Sequence, residues 1–309
     1  MKSKILVIVG PTASGKSAFA VLFAKRLNGE IVSADSRQVY KGLNIGSGKI
    51  TKREMMGIPH YMLDLVSPAQ KFTVVQFREM AEKVIDEILA RGKLPILVGG
   101  TGLYVDAITK GLIIPDVPPN QTLRQKLNKL TSTKLYKQLL KLDPKRAKQI
   151  DKNNPRRLVR AIEIAKAIGK SPPPHNLSGR IRYVVTTIGL NPGRDLLKQK
   201  IKERLRARVK KGMISEVCKL HGAGVGWKRM FDLGLEYRYV SLYLQHKLTK
   251  SGMLEKLETA INQYAKRQMT WFGRDKSITW LTGKQVNRPN PSLFRKIRSL
   301  LHAGAPSNP

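Results

Sequence analysis

The chain has 309 residues, 41% of them hydrophobic, and its 58 Lys and Arg against 21 Asp and Glu leave a formal charge of +37. This length suffices for a self-contained core; the charge exceeds the needs of solubility and predicts a polyanionic partner, against the plainer alternative of a lysine drift scattered over the surface. A single cysteine, Cys218, excludes an internal disulfide and a Cys-based zinc site, and it predicts a reducing compartment with Cys218 as a buried structural thiol.

Ile5 to Val9 is an unbroken aliphatic run ending at Gly10-Pro11, the pattern of a strand buried on both faces of a parallel sheet. It is too short for a signal peptide, and no stretch nears the roughly 18 apolar residues of a membrane span, so a cytoplasmic protein with no membrane partner is expected. The spacing predicts a helix over Lys16 to Leu27, a second strand over Glu30 to Ala34, a helix over Val74 to Ala90 and a third strand over Leu94 to Val98, stopped by Gly99-Gly100. Such alternation predicts a parallel α/β sheet with its working loops at the carboxyl ends of the strands.

From Ile113, with Pro115, Pro118 and Pro119, the pattern turns helical as far as Gly169, and Lys170 to His175 reads as a stiff linker. Tyr183 to Leu190 reads as a strand again, so residues 116–182 are expected to be a helical insertion between two halves, 1–115 and 183–302, of one core. Basic helices over Asp195 to Lys211 and Met253 to Phe272, a strand at Ile278 to Leu281 and a disordered tail at 303–309 complete the expectation.

Gly10-Pro11-Thr12-Ala13-Ser14-Gly15-Lys16-Ser17 fits the G-x-x-x-x-G-K-[ST] phosphate loop in the strand-to-helix setting that it requires. Backbone amides and the helix N-terminus face a diphosphate, Lys16 adds a point charge, and the Ser17 hydroxyl suits Mg2+. Asp35, in Ser33-Ala34-Asp35-Ser36-Arg37-Gln38, should emerge at the same sheet edge. There it holds a metal or activates a hydroxyl in a kinase, accepts a proton from an amine in a transferase, or merely caps a turn. Thr101, in Gly99-Gly100-Thr101-Gly102, caps the next helix and can donate to a phosphate.

No run of apolar residues ends in a free aspartate as a Walker B strand does, since Asp64 follows only a short run. Arg156 and Arg160 share one helical face, as a solvated surface or a nucleic-acid contact. One of Arg194, Arg204, Arg206 and Arg208 is placed to reach back to a leaving diphosphate. Trp271-Phe272 reads as a core anchor in preference to a base-stacking pair.

Seven segments together carry a resemblance: the phosphate loop, Ala34 to Gly46, Ile58 to Tyr61, Gly99 to Tyr104, Asn154 to Glu163, Gly234 to Tyr239 and Ala265 to Phe272. The chain resembles the tRNA dimethylallyltransferases, or isopentenyl-diphosphate:tRNA isopentenyltransferases, of bacterial type, from Ile5 to about Leu281. The resemblance implies an α/β core like that of P-loop NTPases, in which Gly10 to Ser17 hold dimethylallyl diphosphate with Mg2+ instead of ATP. It implies transfer of the prenyl group to N6 of adenosine 37, 3′ to the anticodon, in tRNAs reading codons that begin with U.

By the same resemblance Asp35 is the base, and Thr101 and Arg204 assist the diphosphate. The tRNA anticodon stem-loop is contacted by Asp35, Ser36, Arg37, Gln38, Thr101, Arg124, Arg156, Arg157, Leu158, Val159 and Arg160. Gly234, Leu235, Glu236, Tyr237 and Arg238 form a further candidate segment. A monomer is expected. Ile45-Gly46-Ser47-Gly48-Lys49 departs from the family's Gly-Thr-Ala-Lys version, keeping Lys49, and the single cysteine rules out the zinc finger of eukaryotic members. The competing readings are a free-nucleotide isopentenyltransferase, which needs no insertion, a kinase, which lacks its Walker B aspartate here, and a non-catalytic RNA-binding protein, which has no need of Lys16, Ser17, Asp35 and Thr101.

Overall fold

The computed structural model describes residues 3–112, 115, 117–169, 181–287 and 291–303. Six strands form one fully parallel sheet: β1 (Lys4–Val9), β2 (Gly29–Ser33), β3 (His60–Tyr61), β4 (Leu94–Gly99), β5 (Val184–Asn191) and β6 (Thr279–Thr282), in the order β3-β2-β4-β1-β5-β6. β1 lies in the middle because it is apolar on both faces. Leu6 and Ile8 pack with Phe19, Phe23 and Ile188, while Ile5, Val7 and Val9 pack with Phe77, Ile85 and Phe272 on the other side. Ile5 to Val9 are fully buried, each contributing about 1.5–3 kcal/mol over an exposed position.

The Lys16–Leu27 and Val74–Ala90 helices take the expected bounds, the second closed by a capping box of Thr73 and Gln76. The last long helix starts earlier than its apolar spacing suggests, at Lys250, because Thr249 caps it. β3 is too short to leave a periodic signal, and the helices Met213–Gly222, Trp227–Leu233 and Leu235–Leu244 fill a stretch where the sequence suggested no element. They pack with Ile201, Leu205, Leu257 and Ile261 in a third core.

Cys218 corrects an expectation: it is exposed. Its helix turns Val217 into the core, and a helix rotates the next residue about 100° away. Asp64 is ion-paired to Lys49. Phe272 is buried in the sheet core, with Trp271 packed against that core and donating its Nε1 proton to Asp106 Oδ2 at 3.0 Å.

The chain divides into two compact units, Met1–Thr109 with Ile181–Pro309, and Lys110–Arg180. The described residues of the second unit hold the helices Gln121–Leu127, Ser132–Leu142, Pro144–Gln149 and Pro155–Ile168 and no strand. Leu127, Leu135, Leu139, Leu158 and Ile162 form their core. Ile113, the Lys170 to His175 linker and residues 304–309 of the tail lie outside the described residues.

Glu163, almost wholly buried, organises this unit. It accepts both Arg124 Nε (2.9 Å) and Nη2 (2.7 Å), Arg160 Nη1 (2.6 Å) and the Asn120 amide (2.7 Å). Burial pushes its carboxyl up, but these hydrogen bonds outweigh it and hold the group below its ordinary range. Glu163→Ala is therefore expected to destabilise the unit by about 2–3 kcal/mol, since two guanidiniums lose their acceptor. Denaturant unfolding checks this, and a loss below about 0.5 kcal/mol, the scale of a neutral surface change, contradicts the account.

Candidate active site

The ends of β1, β2 and β4 meet at one edge of the sheet. Gly10 leaves β1 at φ 148°, and a Cβ there would stand 2.6 Å from the Leu190 carbonyl oxygen of β5, so only glycine lets the loop pass. The loop then reaches its helix through Gly15 at φ 90°, with no side chain capping the first-turn amides. Those amides and the helix's partial positive charge are left for an anion. Ser14 Oγ is buried and has no hydrogen-bond partner among the described residues. Lys16 Nζ donates to the Pro11 carbonyl at 2.7 Å; burial, then the Arg204 charge, bring its pKa down to about 7.

Beyond β2, Asp35 Oδ1 accepts the Arg37 amide at 2.8 Å and, more weakly, that of Gln38 at 3.4 Å. Its turn-capping role thus occupies one oxygen, and Oδ2 carries no protein hydrogen bond among the described residues. At the end of β4, Gly99 passes so close to β2 that a Cβ would lie 2.2 Å from the Ala34 carbonyl oxygen. Thr101 follows, its Oγ1 accepting the Ser36 amide at 3.1 Å.

Two helices from far along the chain complete the edge. From Arg194–Lys210, Arg204 Nη2 donates to Thr12 Oγ1 at 2.5 Å. Burial, then neighbouring Arg208, bring the pKa of Arg204 down to about 10. Arg208 bridges the Gly46 carbonyl (2.9 Å) and Glu236 (2.8 Å). Of the four candidate arginines, packing selects these two, because Ile201 and Leu205 turn the helix so that Arg204 and Arg208 face inward and Arg206 faces solvent.

From Lys250–Phe272 come Gln268 and Tyr264, whose hydroxyl is pushed up to about 12 by burial and then by Asp35. Gln268, noted in the sequence only beside Lys266 and Arg267, was assigned no role there, although its place three residues after the buried Ala265 puts a polar group on an apolar face.

Two adjoining cavities result. One, of about 390 Å³, is lined by the loop residues Thr12 to Ser17 with Gln38 and Arg204. The other, of about 590 Å³, is lined by Ser36, Arg37, Thr101, Gly234, Leu235, Glu236 and Arg238. Asp35 lines both. An anion cradle thus stands on one side of a carboxylate and, on the other, a wider recess walled also by Tyr239, Tyr264 and Trp271.

Not every candidate residue joins them. Gly10 and Pro11 shape the loop from beneath. Tyr237 is buried, donating its hydroxyl to Glu216 and accepting the Ser47 amide. Arg124, Arg156, Arg157, Leu158, Val159 and Arg160 belong to the separate helical unit. Leu158 and Val159 are in its core and Arg156 and Arg157 are exposed, while Arg124 and Arg160 pair with Glu163.

The donor set for a divalent ion is small. Among the described residues no group of three His, Cys, Asp or Glu is placed to hold a metal, and Ser17 is exposed on the first helical turn beside the cradle. This fits Mg2+, which keeps waters and binds through substrate phosphates with one or two protein oxygens, and does not need a protein cage.

Comparison with known proteins gives a consistent picture. A family model for IPP transferases matches residues 38–275. A tRNA dimethylallyltransferase of Anoxybacillus flavithermus is 37% identical over 305 residues, covering 98% of this chain and 96% of the relative. The crystal structure of the full-length tRNA isopentenylpyrophosphate transferase of Bacillus halodurans superposes with a TM-score of 0.71 at 36% identity, covering 98% of each chain. A eukaryotic dimethylallyltransferase acting on tRNA shares the fold, with a TM-score of 0.77 at 24% identity over 96% of this chain and 78% of the other.

Proposed function

The chain belongs to the IPP transferase family, and we propose that it transfers the dimethylallyl group of dimethylallyl diphosphate to N6 of adenosine 37 in tRNAs reading codons that begin with U. The observation that carries this reading is the place of Asp35 between an anion cradle and a second recess able to take a base. The diphosphate lies on the loop amides of Ala13 and Gly15 to Ser17 with Lys16 and Arg204, and the prenyl carbon points towards Asp35. The adenine leaves its stack to enter the second cavity past Thr101 and the Gly234 to Arg238 segment.

In the transfer, the N6–C bond forms as the carbon–oxygen bond to diphosphate breaks. The amine proton passes to Asp35 Oδ2, and the diphosphate departs with the bonding pair. An exocyclic amine is a weak nucleophile, so an acceptor that orients it counts for more than basicity alone. As the carbon gains allylic cation character, Lys16, Arg204 and the loop amides stabilise the negative charge that develops on the leaving oxygen. Mg2+ held by Ser17 would add further neutralisation of the diphosphate.

Exposed Arg156 and Arg157 present the helical unit to phosphates of the anticodon stem-loop, in keeping with the +37 charge. Among the described residues no helix is long and apolar enough to cross a membrane. A cytoplasmic monomer is the setting proposed.

The test is incubation with Mg2+, unmodified tRNA and labelled dimethylallyl diphosphate, with free AMP in parallel. Label in tRNA supports the reading. Label in AMP alone points to the free-nucleotide enzyme, and no label in either sinks the transferase.

Lys16 makes diphosphate binding pH-dependent. Below about pH 7 the lysine is already charged in the free protein, whereas above it the neutral form prevails and an incoming diphosphate restores the proton. Pyrophosphate affinity should therefore fall as pH rises from 7 to 9, with proton uptake seen as a buffer-dependent heat of binding. A pH-independent affinity contradicts this.

A further inference from the structure

Gln268 is a buried amide in the last long helix whose two ends serve two different strand-end loops. Its Oε1 accepts the Thr12 amide of the phosphate loop at 2.8 Å, and its Nε2 donates to the Gly100 carbonyl at 2.8 Å. Gly100 has no side chain in the way, for a Cβ there would lie 2.2 Å from Nε2. Thr12 in turn receives Arg204, and Thr101 follows Gly100. One side chain therefore spans the loop that cradles the diphosphate and the turn that borders the acceptor cavity.

Both bonds are specific to an amide. A carboxylate at this position accepts from Thr12 but has nothing to donate to Gly100, and an apolar side chain of the same length does neither. Burial makes either loss costly, since the partner group stays dry and unpaired.

Resting on the transfer reaction proposed above, we propose that Gln268 is a positioning residue that fixes the spacing between donor cradle and acceptor turn, so that the prenyl carbon and the amine meet in line. It touches neither reacting atom. Its removal leaves the cradle's other groups in place but lets the two loops drift, which costs rate more than binding.

Gln268→Met should lower kcat on the order of a hundredfold, the cost of about 1 Å of misalignment, with pyrophosphate Kd and tRNA KM within about threefold of the unsubstituted protein. Hydrogen exchange should quicken in peptides containing residues 10–15 and 98–104 together and nowhere else, a readout independent of turnover. Gln268→Glu, whose carboxylate keeps the Thr12 bond but cannot donate to Gly100, should quicken exchange in residues 98–104 more than in residues 10–15.

In Gln268→Met, unchanged exchange in the two loops or kcat within about twofold, or in Gln268→Glu equal exchange in both loops, overturns the inference. If Gln268→Met does not fold, exchange in Gln268→Glu decides alone. Absence of transfer by the unsubstituted protein would count against the proposed reaction, while the exchange result would still judge the link between the loops.

Discussion

Asp35→Asn is expected to lower the single-turnover rate of prenyl transfer by about 10²–10⁴-fold, the range of a lost general base. Asparagine is the informative replacement because its carbonyl oxygen still takes the Arg37 and Gln38 amides that Asp35 Oδ1 takes now. The turn survives, and so should the melting temperature. What is lost is the second oxygen as a proton acceptor between the two cavities. An amide there also presents a donor to the incoming amine where an acceptor is needed. A rate within about threefold of the unsubstituted protein would remove Asp35 from the chemistry and leave it as a turn cap. Asp35→Ala loses both roles, so a larger effect in that variant measures what the turn contributes.

Lys16→Met should cost about 10²–10³-fold in kcat/KM for the prenyl diphosphate, the scale of one lost electrostatic donor in an enclosed site, and raise the melting temperature at pH 7. The two effects share a cause. Lys16 is held with its pKa near 7 because burial, then the Arg204 charge, disfavours its charged form. The free protein therefore carries a lysine poised for an anion, and methionine, of similar length, relieves that cost while removing the charge. Stabilisation with full activity would show that Lys16 is a structural remnant, and loss of activity with loss of stability would show that the Pro11 hydrogen bond holds the loop together. Steady-state kinetics and thermal unfolding on one preparation separate these outcomes.

How much of this was legible in the chain follows from how local each cause is. β1, its glycine and the helix behind it were readable because an unbroken aliphatic run, a residue free to take positive φ and a phosphate-loop spacing are short-range properties. Asp35 and Thr101 were readable for the same reason, as residues just beyond predicted strands, and parallel strands deliver their carboxyl ends to one edge. The helical character of residues 121–168 was equally open to periodicity and caps, down to Asn154 before Pro155.

The rest required the tertiary structure. Cys218 looked buried by residue type, but the rotation of its helix put Val217 inward and sent the thiol to solvent. On the Arg194–Lys210 helix the burial of Ile201 and Leu205 likewise turned Arg204 and Arg208 inward from a run of basic residues. Tyr237 sits in a segment that the resemblance assigns to RNA, yet its ring is core. Gln268 reaches Thr12 across 256 positions and Arg204 reaches it across 192, separations over which no periodicity in the chain carries information. By itself the sequence determined the strand-loop-helix with its phosphate-loop spacing and the acid beside it, because those depend on neighbours along the chain. Only the fold decided which arginine, which amide and which two cavities surround them, because those depend on how packed helices turn their faces towards the sheet edge.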